Sequence, residues 1–310
     1  MILSEKKQTI AQQNGVLVLD KPSGPTSNHC LMAIKRLGQK KIGHAGTLDP
    51  MASGVLLVLL GQATKLSGFL LQGGMKVYEA TVMLGQESAT WDTEGEILAS
   101  HEWSHVTPEM AADIISSWQG ELEQIVPPYS AAKSQGVPLY RLAREGKDVP
   151  VKTKTVHIYH TEILSTELPV IRFRVKCSSG TYIRSLAHSL GMRLGCGAVL
   201  TALTREYSHP FSLSKSVSLD TLTSAPLDLP SYVRSIEEAL PSWPVIHLEK
   251  MPAQHVRNGR PVACPPASLD AVEKNNGQVL LKDDTGLLAL AKLAWDKEKP
   301  VLTVSRGLWS

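Results

Sequence analysis

Cysteine is scarce in this chain. Cys30, Cys177, Cys196 and Cys264 form no C-x-x-C pair and have no histidine at ligand spacing. That excludes a disulfide framework and a zinc site, and it reads as reduced thiols in a cytoplasmic protein. Long apolar runs are also missing; none approaches the roughly 20 residues needed to span a bilayer. Residues 1–14 are polar and lack the apolar centre of a signal peptide. No internal repeat or low-complexity tract occurs. Lysine and arginine are absent from residue 77 to residue 132, a stretch that carries ten acids.

What remains is an ordinary globular composition, 310 residues with 43% hydrophobic and 20% charged. This suffices for one large domain and a small one. Net charge is only +3, yet the bases are segregated. Six stand between residues 133 and 154 against two acids, and five between 170 and 193 against none. Such a pattern allows a cationic groove for a phosphate backbone, or solvated faces that never converge. Charge order alone leaves both open.

Periodicity predicts the elements. Residues 16–19 read as a short buried strand, and Thr26 or Ser27 can cap a helix to about residue 37. The continuous apolar run 55–60 predicts a strand covered on both faces. Residues 75–84 alternate, with Lys76, Tyr78, Ala80 and Val82 on one face. Pro108 opens a helix to about residue 118. Residues 171–177 alternate between an apolar face and a cationic one made of Arg172, Arg174 and Lys176. Gly180 and Thr181 then lead into a helix carrying Leu186, Leu190 and Leu194, and residues 199–204 begin another strand. The tail offers strands at 245–248, 279–282, 287–292 and 301–304 with a turn at 283–286.

The most informative stretch is Gly43-His44-Ala45-Gly46-Thr47-Leu48-Asp49-Pro50. Two glycines and an X-Pro bond mark a constrained loop, and Asp49 is the only acid between Asp20 and Glu79. Lys35, Arg36, Lys40 and Lys41 precede it. A carboxylate so placed suits a nucleophile or base offered to an anionic chain, although Asp before Pro is also a common turn. The blocks Asp20-Lys21-Pro22-Ser23-Gly24-Pro25-Thr26-Ser27 and Ser53-Gly54-Val55-Leu56-Leu57 flank it. This succession resembles the TruB family of tRNA pseudouridine synthases, whose nucleophilic aspartate sits in a G-H-x-G-T-L-D-P loop.

The resemblance runs from about residue 15 to residue 211. Gly180-Thr181-Tyr182-Ile183-Arg184 is similar to the family's G-T-Y-I-R signature. It implies Arg184 as the cation paired with Asp49, and Tyr182 beside the target base as a candidate for proton transfer. An ordinary tyrosine is a poor base at neutral pH unless its surroundings change it. Lys76-Val77-Tyr78-Glu79-Ala80 resembles the strand on which the family stacks the flipped uracil. Leu203 matches an apolar residue of the uracil pocket, and His44 would fill or brace the space the base leaves. Taken singly, these residues read equally as core or satisfied loop side chains. Residues 127–154 resemble the RNA-gripping insertion, with Lys133, Arg141, Arg144 and Lys147 toward phosphates. Lys21 joins the substrate-binding candidates. Three positions depart from the pattern: Ala89 for Asp, Thr204 for Arg, and His209 for Gly, the latter two near a tRNA-facing rim around Arg205.

The fold expected is α+β, a mixed and largely antiparallel sheet flanked by helices, with a small C-terminal PUA-like β-barrel. The expected units are residues 1–243, including the insertion, and 244–310. The resemblance implies isomerisation of uridine 55 in the T loop by base flipping. It further implies a tRNA T-arm partner, no metal or organic cofactor, no obligatory protein partner, no membrane association and a monomer in the cytoplasm. The aspartate either attacks C1′ or assists a glycal route. A guide-RNA-dependent relative, a tRNA-binding folding factor and a phosphatase-like hydrolase are the rivals; the hydrolase lacks a second acid in the loop.

Overall fold

The computed structural model describes residues 10–72 and 74–309. The polar stretch read at the N-terminus lies outside the described residues as far as residue 9. Chain order begins with β1 (Gly15–Lys21), α1 (Ser27–Arg36), β2 (Ile42–Ala45), β3 (Ser53–Leu60), α2 (Ser67–Gln72) and β4 (Lys76–Leu84). A small hairpin of β5 (Gln86–Ser88) and β6 (Ile97–Ser100) leads to α3 (Pro108–Ser116) and β7 (Gly120–Ile125). The insertion contributes β8 (Lys133–Ser134), β9 (Val137–Pro138) and α4 (Leu139–Arg144). It is followed by β10 (Thr153–Glu167), β11 (Val170–Cys177), α5 (Ile183–Leu194) and β12 (Ala198–Ser208).

The helix starts follow from local chemistry. Thr26 caps α1 by accepting the His29 N–H, and Thr107 caps α3 by accepting that of Met110. Gly195, with φ +74, closes α5 in the left-handed conformation.

Among the described residues the main sheet has eleven strands, of which β1, β3, β12, β4, β11, β10 and β7 lie side by side in that order. Within that series only β3 and β12 run parallel; the other pairs are antiparallel. The architecture is therefore the mixed, largely antiparallel α+β sheet expected. The apolar run at β3 is buried on both faces because its residues divide between two cores. Leu56, Val58 and Leu60 pack with α1 and α5 through Ile34, Leu186 and Leu190. Val55, Leu57 and Leu59 face the opposite way, toward Leu66, Phe211 and Ile236.

That second core also takes in Leu280, Leu290 and Leu308, so the C-terminal segment is packed onto the back of the main sheet. The tail forms a five-stranded curled half-barrel: Val245–His247, Gln278–Asp283, Gly286–Asp296, Lys299–Gly307 and Val262–Ala263 in spatial order. Helices Lys250–Arg257 and Pro266–Lys274 lie between its strands in sequence. No described helix is long and apolar enough to cross a membrane.

Where β3 runs beside β12, Gly54 pairs with Arg205 and has φ +95. A β-carbon there would stand 2.4 Å from the Arg205 carbonyl oxygen, so only glycine permits this approach. Gly54→Ala should force the strands apart and destabilise the protein by about 3 kcal/mol. Chemical denaturation measures this, and an unchanged midpoint would contradict the close approach.

Candidate active site

Asp49 lies in the turn between β2 and β3, and every backbone carbonyl from Gly46 to Ala52 has a donor. Arg205, fully buried on β12, donates from Nη2 to Gly46 (2.8 Å) and from Nη1 to Thr47 (3.4 Å), while its Nε reaches Val55 (2.7 Å). The Ser27 hydroxyl, in the first turn of α1, donates to the Leu48 carbonyl and accepts the Leu48 N–H, both at 3.0 Å. The Asp49 carbonyl accepts the Ala52 N–H (3.1 Å). Lys21 Nζ donates to Pro50 (3.0 Å) and Ala52 (2.7 Å), the Gly24 N–H to Pro50 (2.8 Å), and Ser23 Oγ to Met51 (2.8 Å). The block 20–27 is thus the mould of the turn.

Two residues read near the substrate lie in the interior. Lys21 was expected to bind substrate, but it is fully buried and donates to three carbonyls, the third being Pro22 (2.9 Å). Arg205 was expected at an RNA-facing rim, but it lies beneath the turn as a clamp. A charge that finds several carbonyls in the interior is held there by hydrogen bonds water would otherwise supply.

The turn leaves the Asp49 side chain 37% exposed and pairs it with Arg184, whose side chain is only 6% exposed. Arg184 Nε lies 3.0 Å from Oδ2, and Nη2 donates to Oδ1 at 3.3 Å, a two-pronged grip that fixes the plane of the carboxylate. The remaining donors are anchored as well, Nη1 to the Thr90 carbonyl (3.0 Å) and Nη2 to that of Tyr129 (3.1 Å). A second carboxylate, Asp92, is 2% exposed and stands 3.6 Å from Arg184 Nε. It is oriented by the Thr90 hydroxyl (2.5 Å) and the Glu94 N–H (3.0 Å). Trp91 adopts φ +66 between them and stacks on His188 with ring centroids 4.2 Å apart. Sequence reasoning found Arg184 and missed the role of Asp92 as its second anchor.

Under the turn, the antiparallel pairing of β4 with β12 sets Tyr78 opposite Arg205 and Ala80 opposite Leu203. Tyr78 is buried, and burial pushes its hydroxyl above the ordinary tyrosine value. Lys76, two residues earlier on the same strand face, is buried too, with its pKa brought down to about 8, first by burial and then by the Arg205 charge. A lone charge on the apolar face of an alternating strand was the signal in the sequence. His44 sits on β2 with Nδ1 buried and unpartnered among the described residues. Burial, then Arg205, keeps its imidazole below the usual range. Tyr182 precedes α5, its N–H held by Gln124 Oε1 at 2.7 Å.

The insertion keeps Lys133, Arg141 and Arg144 exposed, with Arg144 over the Tyr140 ring (5.6 Å), and Lys147 paired to Glu145 (2.8 Å). The cationic face read on β11 does not survive as a free strip. Arg172 pairs with Glu79 (2.5 Å), and Arg174 pairs with Glu206 and Glu162, both at 2.7 Å. Acids from other strands of the sheet neutralise the two arginines and leave Lys176 exposed, which charge order along the chain cannot reveal.

Residues 35–183 match the N-terminal domain of the TruB family of pseudouridylate synthases. The class is therefore that of the isomerases that convert uridine in RNA to pseudouridine. A protein of Oleidesulfovibrio alaskensis called tRNA pseudouridine synthase B is 56% identical over 97% of this chain and 98% of its own length. One of Nitratidesulfovibrio vulgaris with the same name is 55% identical, with the same coverage. Among solved structures, a Cbf5-Nop10-Gar1 complex superposes with a TM-score of 0.71 at 27% identity, covering 96% of this chain and 85% of that one. The chain belongs to the TruB family of pseudouridylate synthases.

If Lys21 holds the turn rather than RNA, Lys21→Met should destabilise the fold by about 2 kcal/mol through orphaned carbonyls. The salt dependence of RNA binding should be unchanged. A slope of log Kd on log salt reduced by about 0.7–0.9 would instead mark a lost phosphate contact.

Proposed function

We propose that this protein isomerises uridine 55 in the T loop of tRNA to pseudouridine, working as a monomer on the T arm without a protein partner. The observation that carries this is the exposed Asp49 carboxylate, fixed at 3.0 Å by the buried Arg184 in a turn with no free carbonyl. The names of the curated relatives support tRNA as the substrate. The proposed units are a synthase domain over residues 1–243, gripping RNA through 127–154, and a C-terminal domain over 244–310.

The target nucleotide leaves its stack at a cost of a few kcal/mol. Tyr78 and Leu203 receive the uracil, and stacking on such an aromatic contributes about 1–3 kcal/mol. His44 braces the space left behind, while Lys133, Arg141 and Arg144 meet phosphates. Asp49 attacks C1′ as the C1′–N1 bond breaks and its electron pair leaves with the uracil. The base turns, C5 attacks C1′, and the bond to Asp49 is released. The C5 proton then departs with help from Tyr182. Arg184 keeps Asp49 in line through both displacements, and Asp92 keeps Arg184 in place.

The reaction is read by tritium release from C5-labelled uridine in an unmodified tRNA transcript, with the modified position mapped. Asp49→Asn should abolish release while tRNA affinity is retained; release at the wild-type rate would remove Asp49 from the chemistry. Tyr182→Phe should slow turnover by about 10²-fold or more with near-normal affinity. Wild-type turnover in that variant would end its role in proton transfer.

A further inference from the structure

The chemistry assigned to Asp49, Tyr78, Tyr182 and Arg184 leaves one residue of the pocket floor without a task. Lys76 begins β4 on the same face as Tyr78, and same-face neighbours on a strand are about 7 Å apart. It is 8% exposed, and a β-carbon on Gly46 would lie 3.0 Å from its Nζ, so the amine sits directly beneath the Asp49 turn. Among the described residues it has no hydrogen-bond or ion-pair partner. Its charged neighbours carry the same sign: Arg205 from β12 and Lys154 from β10. The other titratable groups facing it are Cys177 from β11 and Tyr78 on its own strand. The Cys177 thiol is pushed up to about 11 and the Tyr78 hydroxyl is also raised, both by burial, so neither offers a counter-charge near neutral pH. His44, near Arg205, is held neutral there.

A buried ammonium among like charges is costly unless an anion meets it. Backbone phosphates lie on the outside of a nucleotide, within reach of the exposed insertion cations. What enters a pocket floored by Tyr78 is the base. When C1′–N1 breaks, the uracil takes the bonding pair, and the negative charge spreads to O2 and O4. The charge is consumed when C5 bonds to C1′, so it exists only between the two displacements. A fixed donor at that point favours the charged intermediate over the bound substrate.

We propose that Lys76 is a catalytic residue whose ammonium donates a hydrogen bond to a carbonyl oxygen of the detached uracil, holding the anionic base beside Tyr78 while it turns. This deepens the uridine isomerisation reading and rests on it.

Single-turnover pseudouridine formation and tRNA affinity, measured for wild type, Lys76→Met and Lys76→Arg, test the assignment. Lys76→Met should lower the single-turnover rate by about 10²–10³-fold, with Kd changed little. The wild-type rate should hold below pH 8 and fall above it as the amine loses its proton. Lys76→Arg should recover much of the rate and carry it to higher pH. Wild-type rates in Lys76→Met would overturn the proposal. So would a loss expressed as weaker binding with a shallower salt slope, which assigns the lysine to a phosphate, or identical pH profiles in wild type and Lys76→Arg. A lysine that merely supports the fold would lower the melting temperature without this pH signature. A wild-type protein that forms no pseudouridine overturns the functional reading itself, and needs no variant to reveal it.

Discussion

The site depends on the satisfaction of a run of backbone carbonyls. Between Gly46 and Ala52 the chain turns away from any strand ladder, and in an ordinary surface loop water would serve those oxygens. Here the donors are Arg205 from β12, Ser27 from α1, Lys21 at the end of β1, and the turn at Ser23 and Gly24. Each bond is worth only about 1 kcal/mol net. Together they converge from segments far apart in sequence, so the turn takes this shape only once the main sheet has assembled. The position of the proposed nucleophile is therefore a property of the whole domain, although the residue itself sits in an eight-residue motif.

That arrangement explains which parts could be read from the amino-acid order. The β3 run, the alternation of β4 and β11, and the starts of α1 and α3 are local patterns, and they emerged with small errors at the ends. β10 did not, although at 15 residues it is the longest strand among the described residues. Its pattern is polar on both sides, and only Val156 and Ile158 are buried. The tail helices Lys250–Arg257 and Pro266–Lys274 also went unread, because they bury only Ala253, Val256 and Val272. At the site, Asp49 and Arg184 were legible through motifs. The clamps were not, since an interior lysine or arginine is recognised by its acceptors, and those are backbone atoms of distant residues.

The basic residues show why position in the chain is a poor guide to electrostatics. Glu79 and Glu162 come from the strands on either side of β11, and Glu206 from β12 one strand further on; they absorb Arg172 and Arg174 in cross-strand ion pairs. Arg184 and Arg205 leave the surface altogether. The insertion adds exposed cations at Lys133, Arg141 and Arg144, where the chain has little core to build. Cations that organise the site and cations that face solvent are thus separate sets, although they are interleaved in sequence.

Arg184 joins these two levels. Its guanidinium binds Asp49 along one edge, stands beside Asp92, and donates to the Thr90 and Tyr129 carbonyls. Tyr129 lies at the entrance to the insertion, so the group that sets the plane of the carboxylate also tethers the segment proposed to grip RNA. Lysine has three donors and no planar fork, and could not hold two carboxylates and two carbonyls in fixed directions at once. A displacement of the insertion on binding RNA would be felt first at the Tyr129 carbonyl, then at the guanidinium, then at Asp49. The path is short because one rigid side chain spans it.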